Sequence, residues 1–449
     1  MIEYALLIIS SVILFWRSIY CGLVVDDVSM VPLAQEYKER FRDKKIKLPE
    51  LVWNMCYGGG LFKDLRLDHA FSVLIHTINS CLILKISGLF PAALLYLCNP
   101  INNQVSLWLN GRRYLITIFC VLASWAFWPA AFVLYPFAVW IHVSGVMLPL
   151  LFLTTPFWYA IPAGAGICYL VGSKKFIATI ESRKSEFPKG SELQKISWQK
   201  LIFYVKHIGY YFQNIIFPIK PRMYHEFHFY FPRYHQDIEK AYKIDFDFLR
   251  GAAVLMFLAY EMIVGHNFWA FWFLVFISQY CGIYTTTMNV SDRYCSLAGV
   301  GIMVMLAQKI ALIPQPYSTG LIMAFVAFYS VLYNPLLEYA YKSWEKFLLY
   351  HTHIQPDGAR QRIHLAQFYL GLKDPFSAFY ILKQGLKQRP HDFDMLFIMA
   401  NVALMMGFPA ETLKMVERAK KRIPLNDEAY CIHELEKLKD KATGIMGRK

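Results

Sequence analysis

Long apolar runs separated by polar stretches occupy the first three quarters of the chain. The first extends from about Ile2 to Val25. It is too long for the core of a signal peptide and lacks a small-residue cleavage site, so we expect a retained membrane anchor. With ten further runs of lipid length or near it, the pattern predicts an all-α polytopic membrane protein with about 11 transmembrane helices. The ten runs cover approximately residues 70–89, 90–98, 114–128, 130–143, 145–158, 159–172, 248–264, 269–284, 298–313 and 319–337.

Three polar stretches, at 26–68, 173–200 and 218–247, interrupt the apolar part. The first carries charges of both signs, the second is basic, and the third mixes aromatic residues with histidines. If the number of spans holds, all three lie on one side of the membrane. The positive-inside rule would place this basic side in the cytoplasm, but the rule is weakest for loops that fold as domains. The orientation therefore stays open at this point.

Beyond about Tyr350 the pattern becomes amphipathic and repeats itself after 34 residues. Small residues where helices cross, and a proline after the second helix, are typical of tetratricopeptide pairs. We therefore predict a transmembrane domain over 1–345, with amphipathic helices in its first loop (26–68), and a tetratricopeptide repeat domain over 350–449. The recurring residues are Leu365-Ala366 and Met399-Ala400, Tyr369 and Ala403, Leu382 and Val416, Gly385 and Ala419, and Pro390 and Pro424.

Composition narrows the class of function. Hydrophobic residues make up 56% of the chain and charged residues 17%, which excludes a disordered protein, a coiled coil and a small disulfide scaffold. The net charge of +14 favours an anionic surface or ligand, and nucleic acid is not favoured because most of the chain is committed to lipid. The nine cysteines form no CxxC pair, and the segment from Tyr224 to His228 has no HExxH pattern, so a metal site is not favoured either.

The first candidate for chemistry is the acidic pair Asp26-Asp27, which follows the first apolar run. Carboxylates at a membrane interface are costly in lipid and tend to mark a polar cavity. In such a cavity one carboxylate could take a proton from an acceptor hydroxyl while the other orients the first or the substrate. The alternative interpretation is the solvated start of a loop.

Two further groups of polar residues lie within apolar surroundings. His69, His76 and Asn79 share one helical face, either as a buried stripe between helices or as the lining of a polar substrate site. Arg112-Arg113 ends the polar stretch 99–113 and could grip a phosphate with bidentate hydrogen bonds, or simply anchor a helix end at the interface. Arg293 could likewise be neutralised by its neighbour Asp292 or be presented to an anion.

These motifs, in this order, resemble the transmembrane-and-tetratricopeptide (TMTC-type) branch of the GT-C glycosyltransferases, which is similar to the protein O-mannosyltransferases. The family's acidic pair matches Gly22-Leu-Val-Val-Asp26-Asp27. Its H-x-x-N-x-L-L-H helix is echoed from His69 to His76. Its H-P-x-x-x-E-x-x-x-W-x-x-G-R segment is echoed by Asn99-Pro100, Gln104, Trp108 and Gly111-Arg112.

Further segments extend the resemblance over nearly the whole chain. They are Ile141-His142-Val143 with Leu148-Pro149, the aromatic run from Gly209 to Pro218, the Asp292-Arg293-Tyr294 turn, and the carboxy-terminal repeats. Four positions depart from the family pattern: Asn99 replaces a histidine, Gln104 a glutamate, and His142-Val143 a Lys-Glu pair.

The resemblance implies a GT-C fold and transfer of a sugar from a polyprenyl-phosphate-linked donor to a Ser/Thr hydroxyl of a secreted or surface protein. Asp26 would be the general base and Asp27 its support. Arg112, Arg113 and Arg293, with His69, His76 and Gln104, would bind the donor and its phosphate. The acceptor protein or peptide would dock on the repeats. The active site and the repeats would lie on the extracytoplasmic side of a bacterial inner membrane or the endoplasmic reticulum.

Two other classes of protein compete with the transferase. The departures at Asn99, Gln104 and His142-Val143 leave room for an inactive membrane scaffold that recruits partners through its repeats. A flippase or transporter of lipid-linked sugars would require inverted repeats among the spans, and the sequence has no such symmetry.

Overall fold

The computed structural model describes residues 1–24, 64–142, 147–151, 198–219, 243–283, 291–356, 358–423 and 428–447, together with the single residues 27, 36, 39, 42, 43, 52, 56 and 62. Every regular element in this part of the chain is a helix, so the all-α class is confirmed. The described residues form two compact units. The first ends at Trp344, and the second consists chiefly of the residues from Glu345 onward.

The first unit contains ten helices of nine residues or more in its described part. They are α1 (Ile2–Phe15), α2 (Leu65–Ser87), α3 (Phe90–Cys98), α4 (Arg112–Ala126), α5 (Ala131–Ile141), α6 (Trp198–Ile216), α7 (Phe246–Ile263), α8 (Phe268–Ser278), α9 (Asp292–Ala311) and α10 (Tyr317–Glu338). A 3₁₀ helix, Trp16–Tyr20, extends α1.

Four of these segments are long and apolar enough to cross a membrane: Ile2–Tyr20, Leu65–Ser87, Asp292–Ala311 and Tyr317–Leu337. A span needs about 20 residues, so the four are consistent with a membrane protein. The predicted runs 90–98 and 130–143 correspond to α3 and α5, which have nine and eleven residues and are too short to cross alone. The number of about 11 spans stays a prediction.

Local sequence explains where α2 begins and ends. The Asp64 side chain accepts a hydrogen bond from the Arg66 N–H at the amino end, and Gly88 at the carboxyl end adopts φ +69°. That left-handed conformation suits glycine, which has no Cβ to clash. The helix therefore starts at Leu65, five residues before the predicted apolar run.

Helix α9 is the core of the first unit, since every residue from Ser291 to Met305 is buried. It packs against α8, where the Trp272 indole N–H donates to the Leu297 carbonyl over 2.9 Å, and against α3. Polar residues at its amino end are therefore held inside the protein, where their partners must be other side chains or the backbone.

Helix α6 was not expected from the apolar pattern, which places no span between the basic stretch that ends at residue 200 and the polar stretch that begins at 218. The helix buries Lys206 completely, and the Lys206 ammonium pairs with the Asp245 carboxylate at 2.7 Å. Asp245 also caps the amino end of α7 by accepting from the Phe248 N–H.

Helices α6 and α7 approach each other through glycines, so we expect Gly251→Val to lower the free energy of unfolding of the first unit by about 1–3 kcal/mol. A Cβ on Gly251 would overlap the Val205 carbonyl oxygen, and one on Gly209 would lie 2.6 Å from the Gly251 Cα. Thermal unfolding in detergent measures the change. Gly320→Val is the matched control, because a Cβ there meets nothing within 4 Å. Equal effects of the two substitutions would contradict the tight contact.

The second unit consists of α11 (Trp344–Ile354), α12 (Ala359–Gly371), α13 (Pro375–Gln388), α14 (Phe393–Met405), α15 (Pro409–Lys420) and α16 (Glu428–Met446). The helices repeat after 34 residues: α14 begins and ends 34 positions after α12 (359 to 393, 371 to 405), and α15 begins 34 positions after α13 (375 to 409).

Equivalent positions of the two helix pairs are buried, which explains why the sequence repeats there. Leu365 and Met399 in α12 and α14, and Leu382 and Val416 in α13 and α15, are at most 3% exposed. Asp374 and Asp392 accept hydrogen bonds from the main chain at the starts of α13 and α14. Pro424, the second of the predicted prolines, lies outside the described residues.

Candidate functional site

Asp27 is completely buried and bound to the main chain of a distant segment. Its Oδ1 accepts from the Asn110 N–H over 2.9 Å, and its Oδ2 accepts from the Leu109 N–H over 3.2 Å. These two N–H groups begin the 3₁₀ turn Leu109–Gly111, where a helical turn leaves donors unsatisfied. The carboxylate therefore fastens the start of the first loop to the polar stretch 99–113. Asp26 itself lies outside the described residues.

Burial raises the pKa of Asp27 to about 7, from an ordinary value of 3.8. Loss of hydration penalises the charged carboxylate, and this effect outweighs the backbone hydrogen bonds and the nearby Arg112, which favour the charge. A carboxyl group that titrates near neutral pH can both accept and release a proton there.

This raised pKa predicts that the free energy of unfolding falls as the pH rises from about 4 to about 7. Over that range Asp27 ionises in the unfolded chain but keeps its proton when folded, so the unfolded state binds fewer protons. Below the range both states are protonated, and above it both are ionised. We expect Asp27→Asn to remove this part of the pH dependence, measured by chemical denaturation at pH 5 and pH 8. Identical pH dependences for the two proteins would contradict it.

Arg112 and Asp68 form an ion pair in which both side chains are 1% exposed. Arg112 Nη2 lies 2.9 Å from Asp68 Oδ1, and it also donates to the Asp68 carbonyl over 2.8 Å. The Arg112 Nε–H donates to the Ser72 hydroxyl over 3.1 Å. These bonds join α2 to α4. Only Nη1 has no hydrogen-bond partner in the described part of the chain, so most of this guanidinium serves the protein rather than a ligand.

His69, His76 and Asn79 are buried on one face of α2. His76 Nε2 lies 3.2 Å from the Leu97 carbonyl, and the Asn79 amide donates to the Leu115 carbonyl over 3.1 Å. These two therefore bridge neighbouring helices. The His69 ring interacts with the main chain at Cys21 and is near enough to Arg112 to interact electrostatically. His69 is thus the histidine that belongs with the acid and arginine cluster.

Arg293 is enclosed by aromatic rings and by Gln104. Its Nε–H donates to the Tyr114 hydroxyl over 3.1 Å, and its guanidinium carbon lies 5.6 Å from the centre of the Trp108 ring. Gln104 Oε1 accepts from the Ser291 hydroxyl over 2.7 Å and lies 3.5 Å from Arg293 Nη1. The side-chain oxygen of Gln104 is thus directed at the arginine.

The stretch 99–113 joins the two clusters, because Trp108 lies beneath Arg293 and the next residue, Leu109, binds Asp27. Gly111 lets this stretch fold back on itself, since a Cβ there would overlap the Gln104 carbonyl oxygen. Arg113 is half-buried, with its guanidinium 5.3 Å from the centre of the Tyr114 ring. The structure thus groups Asp27, His69 and Arg112 in one cluster and Gln104 and Arg293 in the adjoining one.

Asp68 is the member of the site that sequence reasoning missed. Its carboxylate pairs with Arg112 and also accepts from the Phe62 N–H over 3.2 Å. One feature could have indicated the role of Asp68. Because Asp64 caps α2, Asp68 one turn later is not needed as a cap and could pair with another residue. Asp292, which the sequence suggested only as a neutralising neighbour of Arg293, accepts from the Asn214 amide of α6 over 3.0 Å.

No group of three or more His, Cys, Asp or Glu side chains able to hold a metal ion occurs among the described residues. The segment from Tyr224 to His228, which carries two histidines and a glutamate, lies outside them. Within the site, the described geometry thus offers carboxyl groups, guanidinium groups and main-chain N–H donors. This set suits proton transfer beside a bound anion.

Comparison with known proteins adds no assignment. No protein-family model matches the chain, and neither a curated protein nor a solved structure matches it significantly.

Proposed function

We propose that this chain is a membrane-embedded glycosyltransferase of the GT-C type. It would move a sugar from a polyprenyl-phosphate-linked donor to a Ser or Thr hydroxyl of a secreted or surface protein. The observation that carries the proposal is the bond between Asp27 and the main chain at Leu109 and Asn110. It joins, inside one buried cluster, the two segments that most resemble the family: the acidic pair and the stretch ending at Arg112-Arg113.

The bonding of Asp27 favours a division of labour within the acidic pair. Both Asp27 oxygens accept main-chain hydrogen bonds, so in this proposal Asp27 is the supporting carboxylate. Asp26 then is the general base: it takes the proton of the acceptor hydroxyl as the new C1–O bond forms and the bond from C1 to the phosphate oxygen breaks. The polyprenyl phosphate leaves with the negative charge that develops in the transition state.

Arginine side chains would stabilise that developing charge. Arg112, Arg113 and Arg293 are the candidates for the phosphate, and Arg112 would reach it through Nη1, because its other donors bind Asp68 and Ser72. A guanidinium held in place beforehand stabilises the leaving oxygen without reorganising during the reaction. His69, His76 and Gln104 would line the donor side. The lipid part of the donor stays in the bilayer, which explains an active site beside membrane spans. A divalent metal is not favoured.

The repeating helices of the second unit support a tetratricopeptide domain that docks the acceptor. Their 34-residue period and buried small residues suit extended peptide in a groove. In this proposal about 11 spans put the acidic pair and the repeats on the extracytoplasmic side, in a bacterial inner membrane or the endoplasmic reticulum.

Intact-protein mass spectrometry of the secreted proteins tests the proposal in cells that carry wild type or Asp26→Asn. We expect particular secreted proteins to lose a hexose-sized mass in the variant. Asp43→Asn, an acid of the same loop that belongs to none of the motifs, serves as the control and should leave the masses unchanged. Unchanged masses in Asp26→Asn, with the protein folded in the membrane, would favour a scaffold that recruits partners through the helix pairs.

A further inference from the structure

A cavity of about 280 Å³ opens at the end of the first membrane segment, and none of its lining residues is assigned to catalysis. It is lined by Trp16, Arg17, Tyr20 and Lys342. The floor is held in place because the 3₁₀ helix Trp16–Tyr20 and the turn at Ala340–Lys342 are joined by the bond from the Gly22 N–H to the Tyr341 carbonyl. Two aromatic rings and two cations thus face one small, open space.

The cavity continues a lipid-facing stripe. Ile2, Leu6, Ile9 and Ile13 recur at the three- and four-residue spacing of one helical face and are 45–78% exposed. Trp16 and Tyr20, half exposed, extend the same spacing. Tryptophan and tyrosine at the end of a membrane segment mark the level of the lipid headgroups. The apolar stripe therefore leads directly from the hydrocarbon region into the cavity.

Two of the three cations beside the cavity have no carboxylate partner among the described residues. Lys342 has no ion pair with any described residue, and the Arg66 guanidinium lies over the Tyr20 ring, 5.4 Å from its centre, without a carboxylate partner in the described part of the chain. Arg17 lies over the Trp16 ring at 5.2 Å. Basic pockets between membrane helices can bind phosphate-bearing headgroups.

We propose that this cavity binds the headgroup of an anionic glycerophospholipid whose acyl chains lie along the Ile2–Ile13 stripe. Its phosphate is held by Arg17, Arg66 and Lys342, and the Trp16 and Tyr20 rings cover its glycerol. The shape and charge of the site are independent of glycosyl transfer, so the lipid would bind equally in an enzyme or in a scaffold.

Native mass spectrometry of the delipidated protein, titrated with phosphatidylglycerol or phosphatidylcholine, tests the site. A basic residue near an anionic membrane surface contributes about 1 kcal/mol, which corresponds to about a fivefold change in affinity. We expect Lys342→Gln to weaken phosphatidylglycerol binding about fivefold, and Lys342→Gln with Arg66→Gln about 25-fold, if the two contributions add. Phosphatidylcholine, which has the same phosphate but no net charge, should bind more weakly than phosphatidylglycerol.

Lys85→Gln is the matched control. Like Arg66, Lys85 lies over an aromatic ring: its ammonium nitrogen is 3.9 Å from the centre of the Phe127 ring. It lies at the opposite end of α2 from Arg66. Its replacement should leave binding unchanged, and Lys342→Arg should preserve it while keeping the fold. An equal loss with Lys85→Gln, wild-type affinity in Lys342→Gln, or displacement of the lipid by equimolar inorganic phosphate would each overturn the proposal.

Discussion

Replacing Arg112 by methionine is expected to lower the free energy of unfolding of the first unit by about 3–5 kcal/mol, because it leaves the Asp68 carboxylate buried without its positive partner. Both side chains are 1% exposed, so water cannot take over the solvation of the remaining charge. The Ser72 hydroxyl and the Asp68 carbonyl would lose donors as well. Chemical denaturation in detergent micelles, followed by circular dichroism, measures the change.

Two further variants separate the ion pair from general disturbance of the helix. Asp68→Asn combined with Arg112→Met removes both charges and should cost less than Arg112→Met alone, because no isolated charge stays buried. Arg113→Met changes the half-buried neighbour, which stacks on Tyr114, and should cost about 1 kcal/mol or less. If Arg112→Met proves as mild as Arg113→Met, the ion pair does not hold α2 and α4 together.

The helices that face lipid or repeat locally could be predicted from the sequence. Helix α1 depends on residues within one or two helical turns of each other. The helices of the second unit depend on a 34-residue repeat that is visible in the sequence. The start of α2 was predicted five residues too late, because its first turns contain polar residues. Arg66, Asp68 and His69 break the apolar run, yet Asp68 and His69 are buried in protein, a distinction that hydropathy does not make.

Helix α6 was not predicted because its polar residues pair with residues that are distant in the sequence. Lys206 would be unfavourable in lipid, and its pairing with Asp245, 39 residues later, offsets the cost of its complete burial. No periodicity in the sequence indicates that pairing. The same holds for Asn214 and Asp292, which are 78 residues apart.

The candidate site was located from residue types, but its bonding was not. The acidic pair and the arginines were found because their order resembles a family. The partners of Asp27 are main-chain N–H groups of Leu109 and Asn110, which any residue except proline could supply. Such a bond cannot be recognised from the types of side chain in the sequence. Arg112 was expected to grip a phosphate, and its bond to Asp68 depends on how α2 and α4 pack.

In the proposed transferase, Asp26→Asn is expected to lower the turnover rate of the purified protein by about 10²–10⁴-fold, the usual contribution of a general base. Asparagine keeps the shape of the side chain but cannot take the proton of the acceptor hydroxyl. Release of polyprenyl phosphate from the donor, measured in proteoliposomes with a serine-containing acceptor peptide, gives the rate.

Asp27→Asn should lower the same rate by a smaller factor, because Asp27 supports the site and does not itself take the proton. An amide oxygen can still accept from Asn110 or Leu109, but the amide nitrogen then faces the other N–H and one bond is lost. The two substitutions should also differ in pH dependence. Asp26→Asn should abolish the rise in rate that follows ionisation of the base, whereas Asp27→Asn should keep that rise at a reduced rate. The reverse order of effects would assign the base to Asp27, whose pKa of about 7 suits proton transfer at neutral pH, and would leave Asp26 as the support.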